Sequence, residues 1–166
     1  MKIGIVGIGV VGNAHRFGFQ KLGHNVSFHD TAHDTKLEDV MDTDVVYICV
    51  PTPSLPDGQC DTSIVCQVVD DLILGGYEGV IAIKSTVKPG TTQELCIAYN
   101  THQICFCPEF LRERFAVDDV NNQKKIIIGR GKKCSGEIVN RVVKFYELYY
   151  PSSKLKVVDA KDSEAL

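Results

Sequence analysis

The segment Gly7-Ile8-Gly9-Val10-Val11-Gly12 follows a short apolar run, Lys2–Val6, and opens a helical pattern, Val10–Leu22. In that setting its glycine spacing constrains the fold more than any other feature of the chain. The first glycine permits a tight turn, the second leaves the backbone open to a close ligand, and the third lets helix and strand pack together. The helix start then offers unpaired N–H groups and a partial positive charge to a pyrophosphate. A second strand pattern, Asn25–His29, runs into Asp30, 18 residues beyond Gly12. A carboxylate there accepts from both hydroxyls of a ribose and repels a 2′-phosphate, and no arginine follows it. The pattern therefore implies NAD rather than NADP, held by Gly7, Ile8, Gly9, Val10, Val11, Gly12 and Asp30. Glycines that serve only turns and packing are the alternative.

Strand and helix patterns alternate along the rest of the chain. Further strands are expected at Val45–Val50, Val80–Lys84, Ile104–Cys107, Lys125–Ile128 and Leu155–Val158. Most are continuous apolar runs, as parallel strands covered on both faces are. Helices are expected at Ser63–Leu74, Thr91–Asn100 and Ser135–Tyr149. Gly23 is placed for a left-handed cap after the first helix, and Pro89-Gly90 for the start of the third. Repeated strand–helix–strand units predict an α/β fold of Rossmann type, a doubly wound and mostly parallel sheet in a single domain. Residues 1–160 are expected to form that NAD-binding domain. Residues 161–166 read as the first turn of a connecting helix, with Asp162 or Ser163 as N-cap, and one turn alone would bury almost nothing.

Composition narrows the function classes. Lys and Arg total 18 against 21 Asp and Glu, a net charge of −3, with no basic stripe. That argues against nucleic acid or an anionic membrane as a partner. No run approaches the roughly 18 apolar residues of a membrane span, and the first apolar run lacks a signal-peptide cleavage site. Seven scattered cysteines without a CxxC pair read as reduced thiols of a cytoplasmic protein. No metal site is expected. His24, His29 and His33 lack a ligand spacing and read as a solvated surface cluster.

In an open α/β sheet ligands bind beyond the carboxyl ends of the strands. Three polar clusters follow such ends: Pro51-Thr52-Pro53, Ser85-Thr86-Val87-Lys88 and Pro108-Glu109-Phe110-Leu111-Arg112-Glu113. With Cys49-Val50 and Lys84 before them, these segments resemble the UDP-glucose/GDP-mannose dehydrogenase family, and Pro-Glu-Phe-Leu-Arg-Glu most resembles the members acting on UDP-glucose. With the glycine loop, the resemblance runs the length of the chain. It implies oxidation of a sugar C6 alcohol to a carboxylate with two NAD. It also implies that Val50, Pro51, Thr52, Pro53, Ser85, Thr86 and Glu113 line the cofactor. Phe110, Leu111, Arg112, Glu109 and Glu113 would meet the nucleotide sugar. Thr86 would position a water, and Glu109 would be the general acid/base, its pKa raised by burial beside Phe110 and Leu111. The competing reading of Glu109 and Glu113 is a pair of helix N-terminal carboxylates.

Two departures from the family pattern stand out. The family's nucleophilic cysteine lies in a glycine-rich segment beyond position 166, and its lysine and asparagine lie on the helix that Ser163-Glu164-Ala165-Leu166 resembles at its start. The chain thus reads as the cofactor domain of a longer enzyme, inactive by itself, with any homo-oligomer belonging to the complete protein. The connection Thr31–Thr43 is also shorter than the family's and has Lys36 where an arginine usually holds the adenosine phosphates. Alternatives are a non-catalytic NAD-binding module, a GDP-mannose or other UDP-sugar 6-dehydrogenase, and a dehydrogenase of the β-hydroxyacid type.

Overall fold

Side chains in the central strands alternate between two apolar layers. In the computed structural model, which describes residues 1–133 and 136–166, Val45, Tyr47, Val80, Ala82, Cys105 and Cys107 face one layer. Val46, Ile48, Ile81, Ile83, Ile104 and Phe106 face the other. A sheet buried on both faces needs helices on both. Phe19 from helix α1 (Val10–Lys21) and Val139, Val142, Phe145 and Tyr146 from α5 (Gly136–Tyr149) fill the first layer. Val65, Val69 and Leu72 from α2 (Ser63–Leu74) and Leu95 and Cys96 from α3 (Thr91–Ala98) fill the second.

Seven strands make one sheet in the order β2-β1-β3-β4-β5-β6-β7. They are β1 (Lys2–Val6), β2 (Asn25–His29), β3 (Val45–Ile48), β4 (Val80–Ile83), β5 (Ile104–Phe106), β6 (Lys125–Arg130) and β7 (Lys154–Asp159). All neighbours are parallel except β5 and β6, which pair antiparallel through Cys105↔Arg130 and Phe106↔Gly129. The order reverses between β1 and β3, so a crevice opens there at the carboxyl ends, the ligand site of doubly wound sheets. Gly23, at φ +88°, ends α1 as expected, and Gly90 precedes α3.

One short helix escapes the sequence patterns, and another is buried more deeply than they imply. Helix α4 (Ala116–Asn121) packs Ala116 and Val120 against Ala14 of α1, and a side chain at Gly18 would collide with Val120. Helix α6 (Ala160–Glu164) corrects the expectation that one turn buries nothing. Ala160, Ser163 and Glu164 are all buried, and Ser163 occupies the space a side chain on Gly129 would need. Its N-cap is Asp159, which accepts from the Lys161 amide at 2.9 Å, rather than Asp162 or Ser163. The expected start of the fifth helix at Ser135 lies outside the described residues, as does Cys134.

The histidine cluster also needs correcting. His24 is not solvated: it is buried against Phe145 and edge-on to Tyr149, ring centroids 4.4 Å apart. His29 bonds Thr35 Oγ1, and only His33 is exposed. No group of three His, Cys, Asp or Glu side chains able to hold a metal occurs among the described residues. No described helix is long and apolar enough to cross a membrane.

Candidate dinucleotide site

The turn after β1 is built for close approach. Gly7 has φ +94°, and its amide donates to the His29 carbonyl at 2.9 Å, tying the loop to the end of β2. A Cβ at Gly12 would overlap the Gly7 carbonyl oxygen, so the third glycine lets α1 start directly against the turn. A Cβ at Gly9 would meet nothing within 4 Å. The space in front of Gly9 is open, and no side chain caps the first turn of α1. Those free N–H groups suit an anionic ligand.

A cavity of about 440 Å³ lies over this turn. Gly7, Ile8, Gly9, Val10, Val11, Asp30, Val50, Pro51, Thr52, Ser85 and Thr86 all line it, as does Glu109. Gly12 lies beneath the turn, and Pro53 is exposed outside the lining, its carbonyl accepting from the Asp61 amide. At one end the Asp30 carboxylate accepts from the Ile8 amide at 2.6 Å and the Ala32 amide at 2.8 Å. These donors, the Ile8 amide first, hold its pKa below the ordinary aspartate value. An adjoining cavity of about 390 Å³ has an apolar wall of Val6, Leu37, Val50, Ile64 and Val68 and shares Asp30. An apolar wall beside a carboxylate is the chemistry that suits a flat base next to a hydroxylated sugar. The short Thr31–Thr43 connection supplies Leu37 from a 3₁₀ turn, Leu37–Val40, whereas Lys36 is exposed and lines neither cavity.

At the other end Ser85 is buried and its hydroxyl donates to the Val50 carbonyl at 2.7 Å. Thr86 is exposed at the rim. Cys49 lines the floor, its thiol pushed up to about 12 by burial, with the Lys84 ammonium opposing. Glu109 is half-buried and accepts from the Leu111 amide at 2.8 Å, closing a local turn rather than capping a helix. It also borders a second cavity of about 530 Å³, formed with His15, Phe110, Leu111, Arg112, Lys124 and Lys125 among others.

Two expectations change here. Phe110 is 49% exposed, so it does not enclose Glu109. Glu113 is exposed, begins a 3₁₀ turn (Glu113–Phe115) and lines neither cavity, which fits a carboxylate at a helix start. Arg112 is engaged by Asp119 through two guanidinium bonds, 3.1 and 2.7 Å, which hold the Asp119 pKa down to about 2. Two functional candidates carried no assigned role in the sequence: His15 and Lys84, both buried and both facing a cavity. A basic residue closing an otherwise apolar strand was the available signal for Lys84. For His15 there was none beyond its place on α1.

Fold and site together define a dinucleotide-binding domain. A family model described as UDP-glucose/GDP-mannose dehydrogenase family, NAD binding domain, matches residues 32–147. The chain belongs to this family and is its NAD binding domain. It is 27% identical over 205 aligned residues to the UDP-glucose 6-dehydrogenase of Rickettsia bellii (strain RML369-C), covering 100% of this chain and 47% of that protein. It is 27% identical over 176 residues to that of Haloferax volcanii, covering 78% and 41%. The chain thus spans about half the length of these relatives. A UDP-glucose dehydrogenase structure from Pyrobaculum islandicum superimposes with TM-score 0.84 at 24% identity, covering 99% of this chain and 47% of that one. A GDP-mannose dehydrogenase from Pseudomonas aeruginosa gives TM-score 0.82 at 21% identity, covering 99% and 48%. Both share the fold.

Proposed function

We propose that this chain is the cofactor half of an NAD-dependent nucleotide-sugar dehydrogenase that oxidises the C6 alcohol of UDP-glucose to the carboxylate. The observation that carries the reading is the position of Glu109, in the wall common to the dinucleotide cavity and the second cavity. A general acid/base between hydride donor and acceptor must stand where two ligand spaces meet. Bound NAD supplies the hydride acceptor.

The residues divide the work. Asp30 holds the adenosine ribose, the N–H groups from Gly9 to Val11 hold the pyrophosphate, and Val50–Thr52 with Ser85 and Thr86 line the nicotinamide end. Thr86, exposed at the rim, holds a water within reach of Glu109. Leu111, Arg112, Phe110 and the ammonium groups of Lys124 and Lys125 face the phosphorylated sugar, a small-molecule partner. Residues 1–160 form the cofactor domain, and 161–166 begin the connection to the substrate half. Among the described cysteines none lines the second cavity, and Cys49 is held as a thiol at the floor of the first. On this reading the nucleophile for a thioester step belongs to the substrate half, as do homo-oligomer contacts.

The test is a graft of this domain onto the substrate half of a related UDP-glucose 6-dehydrogenase, comparing wild type with Glu109→Gln. Gln keeps the shape and removes proton acceptance. Turnover, followed as NADH release, is expected to fall about 10²–10⁴-fold with NAD affinity little changed. Equal turnover in the two proteins removes Glu109 from the mechanism.

A further inference from the structure

Lys84 is the buried charge the proposed mechanism does not use. It is 5% exposed, follows β4, and lines the dinucleotide cavity next to Ser85 and Thr86. Its Nζ donates to the Cys107 carbonyl at 3.3 Å and stands 5.4 Å from the centroid of the Tyr47 ring. A carbonyl dipole and an aromatic face both stabilise a cation. The other groups that feel its charge are His15, Cys49 and Cys107. Among the described residues no carboxylate lies within ion-pair distance of it. Glu109, the acid facing the same cavity, is not paired with it. A cation in this position, out of water and without a counter-charge, projects its field into the cavity.

The cavity is polarised along its length. Asp30 marks the adenosine end, and Lys84, Ser85, Thr86 and Glu109 mark the opposite end. On the reading that the site holds NAD, the opposite end takes the nicotinamide. That ring carries a positive charge when oxidised, and gain of a hydride at its C4 removes the charge. We propose that Lys84 is a redox-state selector, whose ammonium weakens binding of the oxidised nicotinamide relative to the reduced one. The effect makes bound NAD a stronger hydride acceptor and holds NADH longer. The attraction of Lys84 for the pyrophosphate is common to both forms and cancels in the ratio of their affinities.

The test uses the 166-residue chain and needs no turnover. Dissociation constants for NAD, NADH and ADP-ribose are measured calorimetrically for wild type, Lys84→Gln, Lys84→Met and Lys84→Arg. Gln keeps a donor for the Cys107 carbonyl, and Met suits a buried strand end, so one folded neutral variant suffices. A unit charge about 10 Å away at an effective dielectric near 20 alters affinity roughly tenfold. The NAD/NADH ratio of dissociation constants is expected to fall by about that factor in the neutral variants. It should stay within about twofold in Lys84→Arg, and ADP-ribose, which lacks the nicotinamide but keeps the pyrophosphate, reports the loss common to NAD and NADH, which does not enter the ratio. An unchanged ratio in a neutral variant that still binds ADP-ribose overturns the selector. Failure of wild type to bind any of the three ligands overturns the cofactor reading itself, a separate outcome.

Discussion

Asp30 Oδ2 accepts the Ile8 amide at 2.6 Å, joining the end of the second strand to the glycine turn after the first. The residue proposed to read the ribose is thereby held by the loop proposed to face the pyrophosphate. Asp30→Ala removes both this bond and the ribose contacts. A hydrogen bond to a charged acceptor is worth about 1.5–3 kcal/mol, so NAD affinity is expected to drop by at least tenfold. Discrimination against NADP should shrink with it. Calorimetric titration of the variant with both cofactors checks this, and undiminished NAD binding would remove Asp30 from the site.

The three loop glycines should fail in different ways. At Gly12 a Cβ has no room beside the Gly7 carbonyl, so Gly12→Ala is expected to cost at least about 1–3 kcal/mol of stability. At Gly9 the backbone is extended and the surrounding space open, so Gly9→Ala should leave stability within about 0.5 kcal/mol. Its methyl instead enters the space proposed for the pyrophosphate, and NAD affinity should fall. Paired denaturant melts and titrations separate the two effects. A stable, tight-binding Gly12→Ala or a tight-binding Gly9→Ala contradicts the assignment.

How much of this was legible depended on whether the determining contacts are local. The glycine turn, Asp30 and the seven strands could be read because each rests on a short motif or an apolar run. Helix α4 could not: its sequence, Ala-Val-Asp-Asp-Val-Asn, has little apolar periodicity, and it forms against Ala14 and the bare backbone at Gly18. The burial of α6 depends likewise on Gly129 and on α3. Glu113 shows the converse limit, since its place in a motif did not reveal that it turns away from both cavities.

Glu164 gives a direct measure of such long-range docking. Its carboxylate, buried, accepts from the Gly90 amide at 2.5 Å and the Thr92 amide at 2.8 Å, capping α3 from across the domain. Glu164→Ala leaves two amide donors unpaired and is expected to destabilise by about 1–3 kcal/mol. Amide exchange at residues 90–92 should accelerate in parallel. Unchanged exchange there would mean that another acceptor already serves the helix start.

Stability should also respond to pH through two histidines. Burial holds the pKa of His15 well below 6.5, with the Lys84 charge adding to the effect, and burial lowers His24 as well. Both favour the neutral form in the folded chain, whereas the unfolded chain takes up protons as pH falls through about 6.5. Their contribution is therefore complete above that pH and is lost below it, by up to about 1.4 kcal/mol per pH unit for each proton. His15→Gln, which keeps a donor for the Val11 carbonyl, is expected to flatten the slope of unfolding free energy between pH 7 and 5. An identical slope in the variant would show that His15 does not resist protonation.

The proposed chemistry of the site rests on NAD bound through a ribose that Asp30 holds. The most direct measurement is calorimetric titration of the 166-residue chain with NAD and with NADP at one salt concentration. Saturable 1:1 binding of NAD is expected, with NADP at least about tenfold weaker because the Asp30 carboxylate, its pKa held low, repels a 2′-phosphate. Equal affinities, or no binding of either at millimolar concentration, would contradict it.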